Sequence, residues 1–310
     1  MDDYIICDTH CDTASEALDK NFSLFDNSLH IDLRRMSKYK HYTQFFAAFI
    51  SPDYYGDPIK RCIDIIDYIY TQAELCQDKI KICKNISDIE YCKDNNLNSA
   101  ILSVEGGEAA EDIAVLKMLH RLGVRMFSLT WNNDNNLGGG VLGDGRGLSL
   151  LGARAVDFMN DGKMIVDLSH ANEKTFYDVM DITRKPVVLS HSDSYSLCPN
   201  PRNITDRQFE EVMRTGSVVG INFYPLFLTG KETASVYDIA NHIEHFLSLG
   251  GEDNICIGSD FDGIDLLPDG ICGIENIGLI FTELSKRGYS DEILQKIAYK
   301  NIYRVISICL

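Results

Sequence analysis

Eight short apolar runs rich in β-branched and aromatic residues recur near 4–8, 44–50, 99–104, 124–129, 164–168, 186–190, 217–222 and 254–259. Helical patterns separate most of them. Residues 59–76 put Ile59, Cys62, Ile63, Ile66, Ile69, Tyr70 and Ala73 on one face. The stretches 111–121, 149–160, 173–181, 205–214, 235–249 and 275–287 read likewise. Thr205 with Gln208 resembles a capping box, and Gly123, Gly162, Gly216 and Gly250 stand where helix C-terminal glycines belong. Eight strands alternating with helices predict an α/β fold of the (β/α)8, TIM-like barrel type. The 310 residues fit one such domain, 1–310, closed by C-terminal helices. The rival is a doubly wound open sheet, which wants a Gly-rich phosphate turn after its first strand. Thr9-His10-Cys11-Asp12-Thr13 stands there instead. The Gly138–Gly147 stretch matches no phosphate loop and is expected to be a mobile rim loop.

Barrel enzymes carry their chemistry at the C-terminal strand ends. Here those ends hold metal-binding side chains. His10-x-Asp12 places two donors on one side of the first strand end, because strand side chains alternate. Alone, His10 reads first as a capped loop histidine, and Asp8 leaves a wider His/Asp network open. Glu105 ends an otherwise uncharged run and precedes two glycines. A buried carboxylate there is costly without a cation, so it bridges metals or pairs with an Arg or Lys. His170 and His191 close the near-identical contexts Val-Asp-Leu-Ser-His and Val-Val-Leu-Ser-His on successive strands, which sets their imidazoles side by side. Asp167 or the adjoining serines then serve as acceptors that set the tautomers. Asp260, in Gly-Ser-Asp-Phe-Asp-Gly, is placed for proton transfer, with Asp262 as its competitor. Three histidines and two carboxylates suffice for two divalent ions, with one acid left over. His242 and His245 are expected on a helix surface; His30, His41 and His120 have no metal-like context. The Ile221–Tyr224 segment belongs either to rim packing or to a substrate pocket.

A formal net charge of -17 argues against nucleic acid or an anionic membrane as partner. The N-terminal residues lack a basic, apolar leader, and no run reaches the roughly 20 apolar residues of a spanning helix. Ten cysteines without framework spacing are expected as reduced thiols; Cys7, Cys62 and Cys256 lie in apolar runs. The expected location is cytoplasmic.

These residues resemble the membrane dipeptidase (renal dipeptidase) family of zinc peptidases, as a soluble, bacterial-type member. The likeness runs nearly end to end through Asp8–Asp12, Val104–Gly107, Val166–His170, Ser190–Ser192, Pro201–Asn203, Asn222–Tyr224 and Gly258–Gly263. The resemblance implies a distorted TIM barrel and two Zn²⁺ per chain. His10 and Asp12 would hold one zinc and His170 and His191 the other, with Glu105 bridging. Asp260 maps onto the catalytic acid, and Arg202 onto the arginine that binds the substrate carboxylate. Two positions depart from the pattern. Trp131 stands where vertebrate members carry a histidine, and a rim tyrosine becomes Phe227. Trp131 and Tyr224 are expected to face the substrate.

The resulting expectation is a dinuclear zinc dipeptidase acting on dipeptides with a free C-terminal carboxylate, L,D-dipeptides included. A hydroxide shared by two metals about 3.5 Å apart would attack the carbonyl. A homodimer is compatible with this reading. The rivals are a dinuclear amidohydrolase acting on another amide or lactone, and a non-enzymatic metal-binding protein.

Overall fold

The computed structural model describes residues 4–310. Its strands are β1 (Ile5–Cys11), β2 (His41–Phe49), β3 (Ile80–Ile82), β4 (Asn98–Glu105), β5 (Val124–Ser128), β6 (Ile165–Asp167), β7 (Val188–Leu189), β8 (Val218–Ile221) and β9 (Ile255–Ile257). All pair in parallel. The ring runs β1-β2-β4-β5-β6-β7-β8-β9 and closes back on β1 through Asp8 opposite Ile257. β2 and β4 pair from Thr43 opposite Ser99 to Phe49 opposite Glu105. The sheet is therefore a closed barrel of eight strands, as the alternation predicts, and not a doubly wound open sheet. β3 is extra: it lies beside the start of β4, outside the ring. With three residues it has no period to read.

The base of the barrel is apolar. Cys7, Phe45, Ile101, Met126, Ile165, Val188, Val218 and Cys256, one from each ring strand, form a single buried cluster. Ile302, Val305 and Ile306 of the C-terminal helix Asn301–Cys309 pack into it. The other rim is where the ring can be polar. There β7, β8 and β9 approach closely. A side chain at Gly220 or Gly258 would overlap the Ser190 carbonyl oxygen, so both positions need glycine. Thr9 Oγ1 donates to that same oxygen (2.6 Å) and to the Ile257 carbonyl (2.9 Å), tying β1 to the β7 and β9 ends.

The helices follow the expected segments: Pro58–Leu75, Ile113–Leu122, Leu150–Gly162, Glu173–Ile182, Asp206–Arg214, Val236–Ser248 and Gly278–Lys286. The Thr205/Gln208 capping box is formed. At Gly162 the expectation fails by one residue, for the left-handed C-terminal position is Lys163 (φ 59°). The 138–147 loop is pinned by Asp134, whose carboxylate accepts from the Gly140 and Asp144 backbone. All ten cysteines are free thiols, nine of them buried.

Candidate metal centre

The C-terminal ends of the strands converge on a cavity of about 600 Å³. Asp12, Glu105, Trp131, His170, His191, Arg202, Tyr224 and Asp260 all line it. His10, the remaining expected residue, is buried against Glu105, its Nε2 3.3 Å from Glu105 Oε2. His10 Nε2 also lies 3.8 Å from Asp12 Oδ2 and 3.7 Å from Asp260 Oδ1. On the other side, Glu105 Oε1 is 2.7 Å from His170 Nε2 and 3.5 Å from His191 Nε2. Glu105 thus sits between two donor pairs.

The donor set fits divalent ions. One atom each from His10, Asp12 and Glu105 lies within 4.8 Å of the others, and so do those of Glu105, His170 and His191 and of His10, His191 and Asp260. Two ligands at about 2.1 Å from one tetrahedral ion stand about 3.4 Å apart. The His10–Glu105 and His191–Glu105 spacings match that. His170 is tighter, 2.8 Å from His191 Nε2, and must back off by several tenths of an ångström to share an ion. His10 Nε2 and Asp12 Oδ1 are buried with no hydrogen-bond partner. Such orphaned atoms are expensive unless a cation meets them.

Surrounding groups orient these donors. His191 Nδ1 lies 2.8 Å from Ser190 Oγ, which donates to Asp167 Oδ2 (2.7 Å). A hydroxyl whose proton goes to a carboxylate must accept at its other side. His191 Nδ1 therefore carries its proton, and Nε2 presents a lone pair inward. Asn132 Oδ1, 2.8 Å from His170 Nδ1, does the same for His170. Asp167 takes donors from Ser128, Ser169 and Ser190 and is fully engaged below the site. Of the acceptors expected for the two histidines, Ser190 backed by Asp167 meets His191, whereas His170 is met by Asn132. Asp8 spends its carboxylate on the Ser259 and His10 backbone N–H groups and the Ser259 hydroxyl, so it joins no wider network of ligands.

Asp260 adopts φ 60°, a left-handed conformation that costs about 1–3 kcal/mol outside glycine. Asn222 Nδ2 donates to its Oδ2 (2.9 Å), leaving Oδ1 toward His10. Burial raises the Asp260 carboxyl to about 6, with Glu105 adding to the rise. Burial likewise lifts Asp12 to about 7. Burial and then the Arg202 charge lower His170 to about 4. Burial alone would raise Glu105, but His10 and His170 overcome it and hold the carboxyl well below its usual range. Asp262 turns away. Its carboxylate accepts from Thr13 Oγ1 (2.5 Å) and the His30 backbone (2.8 Å).

Arg202 is 7% exposed. Its Nη1 donates to the Ser169 carbonyl, and its Nη2 faces His170 Nε2 (3.1 Å) and the His191 carbonyl (3.2 Å). Among the described residues no carboxylate pairs with it. Trp131 stacks at 30° on His170, ring centroids 6.0 Å apart. Tyr224 packs edge-on against Phe227, whose ring lies 5.5 Å from the Arg202 guanidinium. Within residues 221–224, Tyr224 lines the cavity, whereas Phe223 is buried in the core.

Asn132 was not among the expected residues, and Asn222 was expected only as part of the 221–224 segment. Each acts on a partner 38 residues away, and nothing local signals it. His242 also differs from expectation. It is 1% exposed, accepts from the Ser194 backbone and holds the Leu228 carbonyl. A helix turned its other way presents that histidine to the interior. His245 is half-buried against Asp206.

Comparison with known proteins agrees. A profile of the family described as membrane dipeptidase (peptidase family M19) matches residues 1–309. An uncharacterised dipeptidase of Schizosaccharomyces pombe is 33% identical, covering 91% of this chain and 73% of that protein. An uncharacterised protein of Klebsiella pneumoniae is 32% identical over 78% of this chain and 96% of its own length. Among solved structures, a dipeptidase described as an M19 metallopeptidase superposes with TM-score 0.90 at 25% identity, covering 98% of each chain. A metallopeptidase of Rhodobacter sphaeroides, liganded with a phosphinate mimic of the dipeptide L-Ala-D-Ala, gives TM-score 0.91 at 24% identity over 98% of this chain and 99% of its own. The parallel barrel, the His/carboxylate cluster at its mouth and these matches lead to one conclusion: the chain belongs to the membrane dipeptidase family, peptidase family M19, and is a metallo-dipeptidase.

Proposed function

We propose that this dipeptidase uses two zinc ions and cleaves dipeptides that end in a free carboxylate. His10 and Asp12 would hold one ion, His170 and His191 the other, and Glu105 both. Two such ions supply Lewis acidity toward a carbonyl oxygen and acidify water. The observation that carries the substrate reading is Arg202, a buried guanidinium with no carboxylate partner beside the ligands. An Arg fork suits a planar carboxylate. Asp260, anchored at Oδ2 by Asn222, has Oδ1 available to take the proton of the attacking water and return it to the leaving amine. Trp131 offers only an N–H donor and serves as a wall beside His170. Tyr224 closes the side of the cavity next to Phe227. The ligand of the Rhodobacter sphaeroides relative makes L,D-dipeptides part of the proposal. We take 1–310 as one domain, and free thiols throughout fit a reducing compartment such as the cytoplasm. Among the described residues, no helix is long and apolar enough to cross a membrane.

The test combines elemental analysis with kinetics. Reconstituted protein should hold about two ions per chain. Hydrogen bonds to charged groups contribute about 1.5–3 kcal/mol, so Arg202→Ala should lower kcat/KM for dipeptides by roughly 10- to 150-fold. Dipeptide amides should be poor substrates for the parent enzyme and little changed in the variant. Equal turnover of acids and amides would reject the carboxylate clamp and favour an amidohydrolase of other specificity.

A further inference from the structure

The base of the barrel holds a pair of thiols that the metal centre does not use. β3 ends at Ile82, and Cys83 follows it. The next helix, Ile86–Asp94, starts from the Asn85 cap and carries Cys92 on its buried face. The chain thus brings Cys92 back onto Cys83, nine residues earlier. Their sulfurs lie 3.5 Å apart, in the one sulfur–sulfur hydrogen bond among the described residues. Both side chains are buried within the apolar cluster at the barrel base. β3 pairs with the start of β4, and Glu105 is at the far end of that strand. At about 3.3 Å per residue, the length of β4 separates the thiols from the metal centre by roughly 23 Å.

Two thiols in contact do not behave alike. The Cys83 S–H donates to Cys92 Sγ, which favours the thiolate at Cys92 and, by the same contact, holds the proton on Cys83. The Ser99 hydroxyl faces both sulfurs, and Lys81 adds to the acidity of Cys92, while burial and Asp88 oppose it. The balance sets Cys92 below an ordinary thiol. Burial instead pushes Cys62 up to about 12 and Cys309 up to about 11. The unit that carries Cys92 is also peripheral. β3 pairs with β4 alone, through three residues. Lys81 ties it to the helix, its Nζ 3.5 Å from Asp88 and 4.5 Å from the centre of the Tyr91 ring. A short unit of this kind opens at lower cost than the barrel ring, and so admits a small reagent.

We propose that Cys83 and Cys92 are a peroxide-reactive pair that closes to a reversible disulfide and clamps the helix Ile86–Asp94 to β3. The Cys92 thiolate attacks one oxygen of hydrogen peroxide. The O–O bond breaks, and the departing hydroxide takes up the proton that Cys92 lost on ionising. Cys92 is then a sulfenic acid. The Cys83 sulfur attacks the Cys92 sulfur, the S–O bond breaks, and the hydroxyl leaves as water with the Cys83 proton. The two thiols give up two electrons, and one peroxide takes them to form two waters. The sulfurs must close from 3.5 Å to about 2.05 Å, a shift shared by two elements outside the barrel ring. A thiol reductant reopens the bond by exchange, so the pair rests as free thiols in a reducing compartment.

The test treats metal-loaded protein with hydrogen peroxide, quenches it with an alkylating agent and digests it with trypsin. Lys81, Lys84 and Lys93 put the two cysteines on separate peptides, 82–84 and 85–93. Two of the ten thiols should disappear, and these two peptides should be recovered linked, the link being lost in dithiothreitol. In Cys83→Ser, dimedone should trap Cys92 as its sulfenic acid, because no partner thiol resolves it. In Cys92→Ser, Cys83 should stay a thiol. The rate of linkage should rise with pH through a midpoint below the value of about 8.5 of a free cysteine. Peptides 82–84 and 85–93 recovered alkylated and unlinked, under peroxide that oxidises the exposed Cys272, overturn the inference. So does a link from either cysteine to a different partner. A midpoint at or above that of free cysteine, or dimedone on Cys83 in Cys92→Ser as fast as on Cys92 in Cys83→Ser, overturns it as well.

Discussion

Asp167→Asn should damage the metal centre without touching a ligand. In the parent, Asp167 Oδ1 accepts from the Ser169 and Ser190 backbone, and Oδ2 accepts from the Ser128 and Ser190 hydroxyls. The two backbone donors fix which side of the new amide keeps its oxygen. The NH₂ group must then face Ser128 and Ser190. Ser190 Oγ can no longer donate downward, so its proton turns to His191 Nδ1, 2.8 Å away. His191 is driven to the tautomer with hydrogen on Nε2, the nitrogen aimed at Glu105. That nitrogen cannot then bind a cation. Loss of such supporting partners typically costs about 10- to 100-fold in metal affinity or activity, or about 1.4–2.8 kcal/mol. Competition against a chromophoric chelator reads it directly, with one of two sites weakened. Ser128→Ala is the control. It removes one hydrogen bond to the same carboxylate, about 1 kcal/mol of stability, and leaves the His191 relay intact. Unchanged metal affinity in Asp167→Asn, or equal weakening in Ser128→Ala, would refute the relay.

Asp260→Asn should lower kcat by roughly 10²–10⁴-fold with metal content retained, because Asn tolerates the left-handed backbone but cannot transfer a proton. A larger loss in Asp262→Asn than in Asp260→Asn would move the role to the second aspartate. Stability should fall in acid through His41 and His242, each buried and each lowered by burial to about 4. The unfolded chain takes up these protons below about 6.5 and the native state only near 4, so stability is full above 6.5 and is lost as pH falls through that window, by about 3 kcal/mol per group at pH 4. In urea titrations, His242→Gln should show a shallower loss between those limits than the parent; parallel curves would exclude the histidine.

The legible parts of this chain were those set by local pattern. Val166–His170 and Val187–His191 announce strands by their branched residues, and each puts its histidine two or three residues past the strand end, where the barrel mouth must be. Backbone periodicity therefore located the ring and its donors together. What stayed hidden depends on tertiary contact. β3 is only Ile80–Ile82, and its pairing with β4 alone makes it a strand. His242 and His245 lie three apart on one amphipathic helix, and only the packing of Leu228 and Ser194 against that helix decides that His242 faces inward. Asn132 and Asn222 are amides in loops, a residue type common there for turn chemistry. Their aim at His170 and Asp260 exists only once β5 stands beside β6 and β8 beside β9.

Trp131 and Asn132 show how one loop constrains one histidine twice. Asn132 bonds the outer nitrogen of His170 and so sets where its proton resides. Trp131 lies over the face of the same ring and is itself backed by Phe49, ring centroids 5.6 Å apart. A hydrogen bond fixes the tautomer but leaves the ring free to swing about it; an aromatic wall limits the swing but cannot choose a tautomer. Both constraints are needed for Nε2 to stay on Glu105, and they come from adjacent residues because the chain past β5 crosses the cavity mouth beside β6. A histidine at 131 would add a proton acceptor beside the substrate and present a smaller wall to His170. Trp131 therefore bears on ligand rigidity, and its replacement should be felt in metal exchange rate before it is felt in proton transfer.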